Sequence, residues 1–145
     1  MSHGCSNVLI RCMDYRIDMG VHDFLLNNEM LGDTDVVSVA GSCKDLLKGF
    51  GWSESKYLLT QIEISIKLHG IKRIILTQHE NCGPYGGLEV FGTVEMEKEF
   101  LIKEMKELKQ KLAKRFPDQE ILMFWFIRPE MNEDTVPWDY QPVED

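Results

Sequence analysis

A chain of 145 residues, 43% of them hydrophobic and 28% charged, has material for one core and not two, and its composition excludes disordered, collagen-like and mucin-like classes. Sixteen basic against twenty-four acidic residues leave a formal net charge of −8, so DNA, RNA and anionic membrane surfaces are repelled on average and no nucleic-acid partner is expected. The longest wholly apolar run, Ile121 to Ile127, is far below the ~18 residues of a membrane-spanning helix, and Met1 to Cys5 has neither part of a signal peptide, so no membrane association is expected and the expected location is the cytoplasm, with reduced thiols.

Asn7 to Arg11 is a short apolar run of the kind found in a strand buried on both faces. A helix follows: Asp18 can cap it, Phe24, Leu25, Asn28 and Leu31 share one face, and Gly32 suits a left-handed closing residue. Asp35 to Ala40, rich in β-branched residues, reads as a second strand ending at Gly41. Past the glycine-marked stretch Gly49-Phe50-Gly51, Ser53 can cap a second helix whose stripe Leu58, Ile62 and Ile66 runs to Gly70. Lys72 to Thr77 reads as a third strand. The longest helix spans Thr93 to Arg115, with Val94, Leu101, Met105, Leu108 and Leu112 inward and the pairs Glu99–Lys103 and Glu107–Lys111 on the wet side. Glu120 to Ile127 is a fourth strand.

The order β-α-β-α-β-α-β predicts an α/β fold, a three-layer α/β/α arrangement around a mainly parallel sheet of about four to five strands, formed by residues 1–128 as a single domain. Residues 129–145 hold three prolines, six acidic residues and no basic one, which predicts a non-helical acidic tail with Trp138 and Tyr140 as candidate anchors.

Parallel sheets gather their chemistry at the carboxyl ends of the strands. Two clusters fall there: Cys12-Met13-Asp14-Tyr15-Arg16 after the first strand and His79-Glu80-Asn81-Cys82-Gly83 after the third. In a reduced setting cysteines read as metal ligands, reactive thiols or buried apolar residues. Two thiolates and one imidazole, Cys12, Cys82 and His79, form a borderline-soft set that suits Zn²⁺ better than Mg²⁺ or Ca²⁺, and three ligands leave a fourth position open, the mark of a catalytic site. Competing readings fail. Tyr85 stands where a thioredoxin-like turn would place its second cysteine. Cys12 and Arg16 are too close in sequence to wrap a phosphate between them. Gly83 to Gly87 is not followed by the Lys-Ser or Lys-Thr of a nucleotide P-loop.

Cys12-Met13-Asp14-Tyr15-Arg16 and His79-Glu80-Asn81-Cys82-Gly83 resemble the Cys-x-Asp-x-Arg and His-x-x-Cys-Gly motifs of the β-class carbonic anhydrases. Val36 to Gly41 is similar to that family's second strand with its Ala-Gly ending, and Gly70 to Leu76 to the segment before its histidine; the match covers roughly residues 7 to 127. The resemblance implies that Cys12, His79 and Cys82 bind zinc, and that Asp14 either takes the fourth position or releases it to water while held by Arg16. It implies reversible hydration of CO₂ to bicarbonate by a zinc-bound hydroxide, with Asp14 and Arg16 catalytic. Backbone N–H groups near Gly41 and Gly83 are candidate binders of substrate oxygens. Where the family has Arg-Asn before its Ala-Gly, Ser38 and Val39 stand here, and whereas family members commonly begin with helices that embrace a partner, this sequence starts almost directly at the first strand. The expected assembly is a homodimer or higher homo-oligomer. Two alternatives keep the site: a hydrolase of COS or CS₂, and a zinc-binding but catalytically silent interaction protein. Cys5 and Cys43 fall outside the motifs and are read as non-ligands; His3, His22 and His69 are read as surface or helix-end residues, with proton relay as the alternative. Lys44 and Lys48 are read as solvated side chains.

Overall fold

A computed structural model describes residues 3–48, 53–130 and 136–145. Four parallel strands, β1 (Asn7–Cys12), β2 (Thr34–Val39), β3 (Arg73–His79) and β4 (Glu120–Ile127), and one antiparallel strand, β5 (Asp139–Pro142), form a sheet in the order β2-β1-β3-β4-β5. The central β1 is buried at every position, its apolar Val8, Leu9 and Ile10 flanked by buried Asn7 and Arg11, whereas edge strand β2 alternates and leaves Val36 49% exposed.

The helices are α1 (Asp18–Asn27), α2 (Lys44–Leu47), α3 (Ser53–His69), α4 (Gly87–Phe91) and α5 (Val94–Arg115). Strand side chains alternate between two cores. Val8, Ile10, Ile74 and Leu76 face Leu58, Ile62, Leu108 and Leu112 of α3 and α5; Leu9 and Ile75 pack with Val21, Phe24 and Leu25 of α1 and with Trp138. Three layers result, as the element order predicts. No described helix is long and apolar enough to cross a membrane.

Several boundaries differ from the sequence expectation. Helix α1 stops at Asn27, and its closing left-handed residue is Glu29 (φ 58°) in place of Gly32: the N–H groups of Met30 and Glu29 donate back to the Leu25 and Leu26 carbonyls. Leu31 is 48% exposed as a consequence. Strand β3 continues past Thr77 to His79. The glycine-marked stretch Gly49–Gly51 lies outside the described residues. The tail carries the fifth strand, paired Phe126↔Tyr140 and Trp125↔Gln141, and Trp138 is 1% exposed against α1. Gly20 makes that approach: a Cβ there would stand 2.8 Å from the Trp138 carbonyl oxygen.

Candidate metal centre

The carboxyl ends of β1 and β3 are adjacent in the sheet, so Cys12, the last residue of β1, and His79, the last of β3, meet at one rim. The Cys12 thiol, a ring nitrogen of His79 and the Cys82 thiol all lie within 4.8 Å of one another, and all three residues are buried. His79 Nδ1 is 2.7 Å from the Glu80 carbonyl oxygen. The donor in that contact is the ring Nδ1–H, which in the neutral ring leaves Nε2 as the acceptor; it is buried and has no hydrogen-bond partner among the described residues. A buried acceptor with nothing to accept from is costly, and a cation shared with the two thiols satisfies it. The S₂N donor set, and the second-ring-nitrogen contact that fixes a ligating histidine, fit zinc.

Charge is distributed unevenly between the thiols. The Cys82 hydrogen bond, working against burial, draws the Cys12 thiol below its ordinary value. The bond to Cys12, burial and the negative charge beside it push Cys82 upward. A bound divalent ion would take both sulfurs as thiolates. Cys43 is fully buried away from this cluster, and burial pushes it up to about 12, as suits a small core residue.

Asp14 and Arg16 form the flank. Asp14 accepts from the Arg16 backbone N–H (3.0 Å), from Nε (3.0 Å to Oδ2) and from a terminal nitrogen (2.6 Å). Burial would raise its pKa, but the guanidinium outweighs burial and holds the carboxyl below its ordinary value. Asp14 Oδ2 lies 4.0 Å from His79 Nε2, which places the carboxylate beside the cluster while Arg16 grips it. Arg16 also donates to the Asn81 carbonyl (3.0 Å) and lies over the Trp138 ring at 5.5 Å. Gly41 (φ +77°) and Gly83 sit on touching turns, since a Cβ on Gly41 would meet Pro84 Cβ at 3.2 Å. A Cβ on Gly83 would meet nothing within 4 Å, so that turn has open space beside it.

Four supporting residues escape the motif reading. Buried Glu97, from the first turn of α5, accepts from the N–H of Asn81 (2.6 Å) and of Cys82 (3.0 Å), and so fixes the loop that carries a ligand. Glu97 stands on the apolar stripe between Val94 and Leu101, and a charge at a core position was the available signal. Arg11 donates to the Cys12 carbonyl (2.8 Å) and the Asp14 carbonyl (3.0 Å) and pairs with Asp18 at 2.6 Å, pinning the turn after β1. Gln78 donates to the Gly41 carbonyl at 3.1 Å. Trp138 packs on the His79 ring with centroids 5.7 Å apart. The remaining candidates lie elsewhere: His22 is an exposed neighbour of Asp23, His69 is at the other rim of the sheet, Lys48 pairs with Asp45 at 3.4 Å, and Lys44 lies over the Tyr85 ring at 5.9 Å.

A family model described as "Putative carbonic anhydrase" matches residues 2–135. The chain is 29% identical over 122 residues to an uncharacterized protein of Rickettsia bellii, covering 82% of this chain and 74% of that one. It is 29% identical over 123 residues to an uncharacterized protein of Rickettsia conorii, covering 82% and 66%. Among solved structures, a carbonic anhydrase from Glaciozyma antarctica superposes with a TM-score of 0.58 at 17% identity, over 95% of this chain and 83% of that one. The β-carbonic anhydrase CcaA gives 0.51 at 14% identity, over 87% and 76%. These two likenesses are of fold.

Proposed function

The chain belongs to this carbonic anhydrase family, and from that premise we propose that it is a zinc-dependent enzyme interconverting CO₂ and bicarbonate. The observation that carries the reading is the buried, unpartnered Nε2 of His79 facing two thiols. Cys12, His79 and Cys82 would hold the ion and leave its fourth position open. When bound, zinc supplies a Lewis acid that brings the pKa of a coordinated water towards neutrality.

The chain's own residues supply the remaining functions. Arg16, with its planar fork on both oxygens of Asp14, keeps the carboxylate from capping the ion. Asp14 is then an acceptor beside the reacting position, able to take a hydrogen bond from the attacking water and orient its lone pair toward the carbon. The N–H groups of Gly41 and Gly83 receive the negative charge that develops on the substrate oxygens. Trp138 closes one side of the centre and limits access of bulk water. The active form is a homo-oligomer: Val90 and Phe100, 68% and 44% exposed, border the groove beside Pro84 and Tyr85 next to the Gly41 turn, and a second copy would cover them.

Elemental analysis together with stopped-flow CO₂ hydration across pH about 6.5 to 9 tests the reading, that range bracketing the neutral pKa of a zinc-bound water. Turnover in the zinc-loaded wild type that disappears, with the metal, in folded Cys82→Ser is the expected result. A zinc-loaded, folded wild type inert throughout that range would overturn it; turnover of COS or CS₂ by the same protein would move the activity to that substrate.

A further inference from the structure

A second cluster of donor atoms lies at the opposite, amino-terminal rim of the sheet. Cys5 precedes β1, Asp35 is the second residue of β2, and His69 ends α3 just before β3. The Cys5 thiol, an Asp35 carboxylate oxygen and a His69 ring nitrogen all lie within 4.8 Å of one another. The backbone brings them together. The Cys5 N–H donates to the His69 carbonyl at 3.2 Å, and Gly4 permits this approach, since a Cβ there would stand 2.9 Å from the same oxygen. Asp35 Oδ2 accepts from the Ser65 hydroxyl at 2.6 Å and contacts His69 Nδ1 at 2.6 Å. The His69 and Asp35 side chains are 25% and 33% exposed, so solvent ions reach them. The His3 ring stands 4.9 Å from that of His69, centroid to centroid.

We propose that Cys5, Asp35 and His69 form a second site for a zinc-class divalent cation, a strand's length from the carbonic anhydrase centre and independent of it. One sulfur, one nitrogen and one oxygen donor make a borderline set that selects Zn²⁺ or Co²⁺ over Mg²⁺ and Ca²⁺. Tetrahedral bonds of about 2.0–2.3 Å separate donors by roughly 3.3–3.8 Å, so the contact between His69 and Asp35 opens by roughly 1 Å as the ion enters. Ligation through Nδ1 displaces the proton it donates to Asp35, which passes to Nε2 of the same ring, and the Cys5 thiol proton leaves to solvent, so binding releases a proton. Ser65 remains on Asp35 as the outer partner that orients a ligating carboxylate, and His3 offers a further nitrogen at the same edge.

The test is a Zn²⁺ titration of full-length, chelator-stripped protein against a chromophoric chelator, with far-UV circular dichroism on each variant. Wild type is expected to take two equivalents, Cys5→Ser, His69→Gln and Cys82→Ser one each, and Cys5→Ser/Cys82→Ser none. Co²⁺ in Cys82→Ser protein is expected to give a thiolate-to-cobalt absorption that vanishes when Cys5 is also replaced. Zn²⁺ uptake undiminished in natively folded Cys5→Ser and His69→Gln overturns the proposal, as does a single wild-type equivalent that is lost with Cys82 and kept without Cys5. A single equivalent kept without Cys82 and lost with Cys5 upholds this site and removes the first centre, so the two readings fail separately.

Discussion

Replacing Glu97 by Gln tests whether α5 organises the metal loop. The carboxylate is fully buried and accepts two backbone N–H groups, from Asn81 at 2.6 Å and Cys82 at 3.0 Å. Glutamine has one acceptor oxygen, so one of these N–H groups keeps a weaker neutral partner and the other is left facing an NH₂ donor. Losing one hydrogen bond to a charged acceptor and stranding a buried donor costs about 2–4 kcal/mol. At ~2.1 cal/mol/K per residue the unfolding entropy of a chain this size is roughly 300 cal/mol/K, so the melting temperature should fall by about 7–13 °C. The same change loosens the backbone of Cys82, and losing the partner that orients a metal ligand weakens metal binding by about 10- to 100-fold. Thermal denaturation and Zn²⁺ competition titration read the two effects. Glu95→Gln, exposed on the same turn of α5, is the control and should change stability by less than ~0.5 kcal/mol. A Glu97→Gln protein with the melting temperature and metal affinity of wild type would show that the two hydrogen bonds do not hold the loop.

Tyr85 is pushed up, first by burial and then by its 2.7 Å hydrogen bond to Glu104. The folded state therefore keeps a proton that the unfolded chain releases above about 10, and stability should fall with rising pH from that point by up to ~1.4 kcal/mol per unit; chemical denaturation at graded alkaline pH should show Tyr85→Phe lacking that part of the slope. Gly20→Ala sets a methyl 2.8 Å from the Trp138 carbonyl oxygen; a cost of about 1–3 kcal/mol is expected, with faster amide exchange in residues 138–142, and an unchanged protein would mean that the tail packs elsewhere. Arg16→Lys removes the fork that grips Asp14 and covers the Trp138 ring; a loss of about 1–2 kcal/mol is expected in urea denaturation, and equal stability would mean that a point charge serves as well.

The parallel core was legible because strands buried on both faces are mostly apolar, as in β1 at Val8 to Ile10 and in β4 from Ile121. Where the sequence misled, polar side chains had found partners that no local pattern reveals. Strand β3 extends beyond Thr77 to Gln78 and His79; Gln78 is 1% exposed, and its amide nitrogen donates to the Gly41 carbonyl at 3.1 Å, which offsets the cost of burying that donor. Strand β5, Asp139 to Pro142, is a short polar edge with a proline, which resembles a turn more than a strand in isolation.

The metal motifs were readable for another reason. Each places its chemistry at the end of a strand, so spacing along the chain maps directly onto position in space. Glu97 and the Cys5, Asp35 and His69 cluster are joined only through tertiary packing, across 15 residues from Cys82 in the one case and 34 residues between Asp35 and His69 in the other. Glu97 nevertheless left a trace, because a carboxylate on the stripe Val94, Leu101, Met105 has to be matched by buried donors, and the backbone N–H groups of a tight turn can supply them. A break in an otherwise regular hydrophobic stripe is thus a demand for a partner. In this chain that partner is the loop between His79 and Cys82, which ties the longest helix to the candidate metal centre.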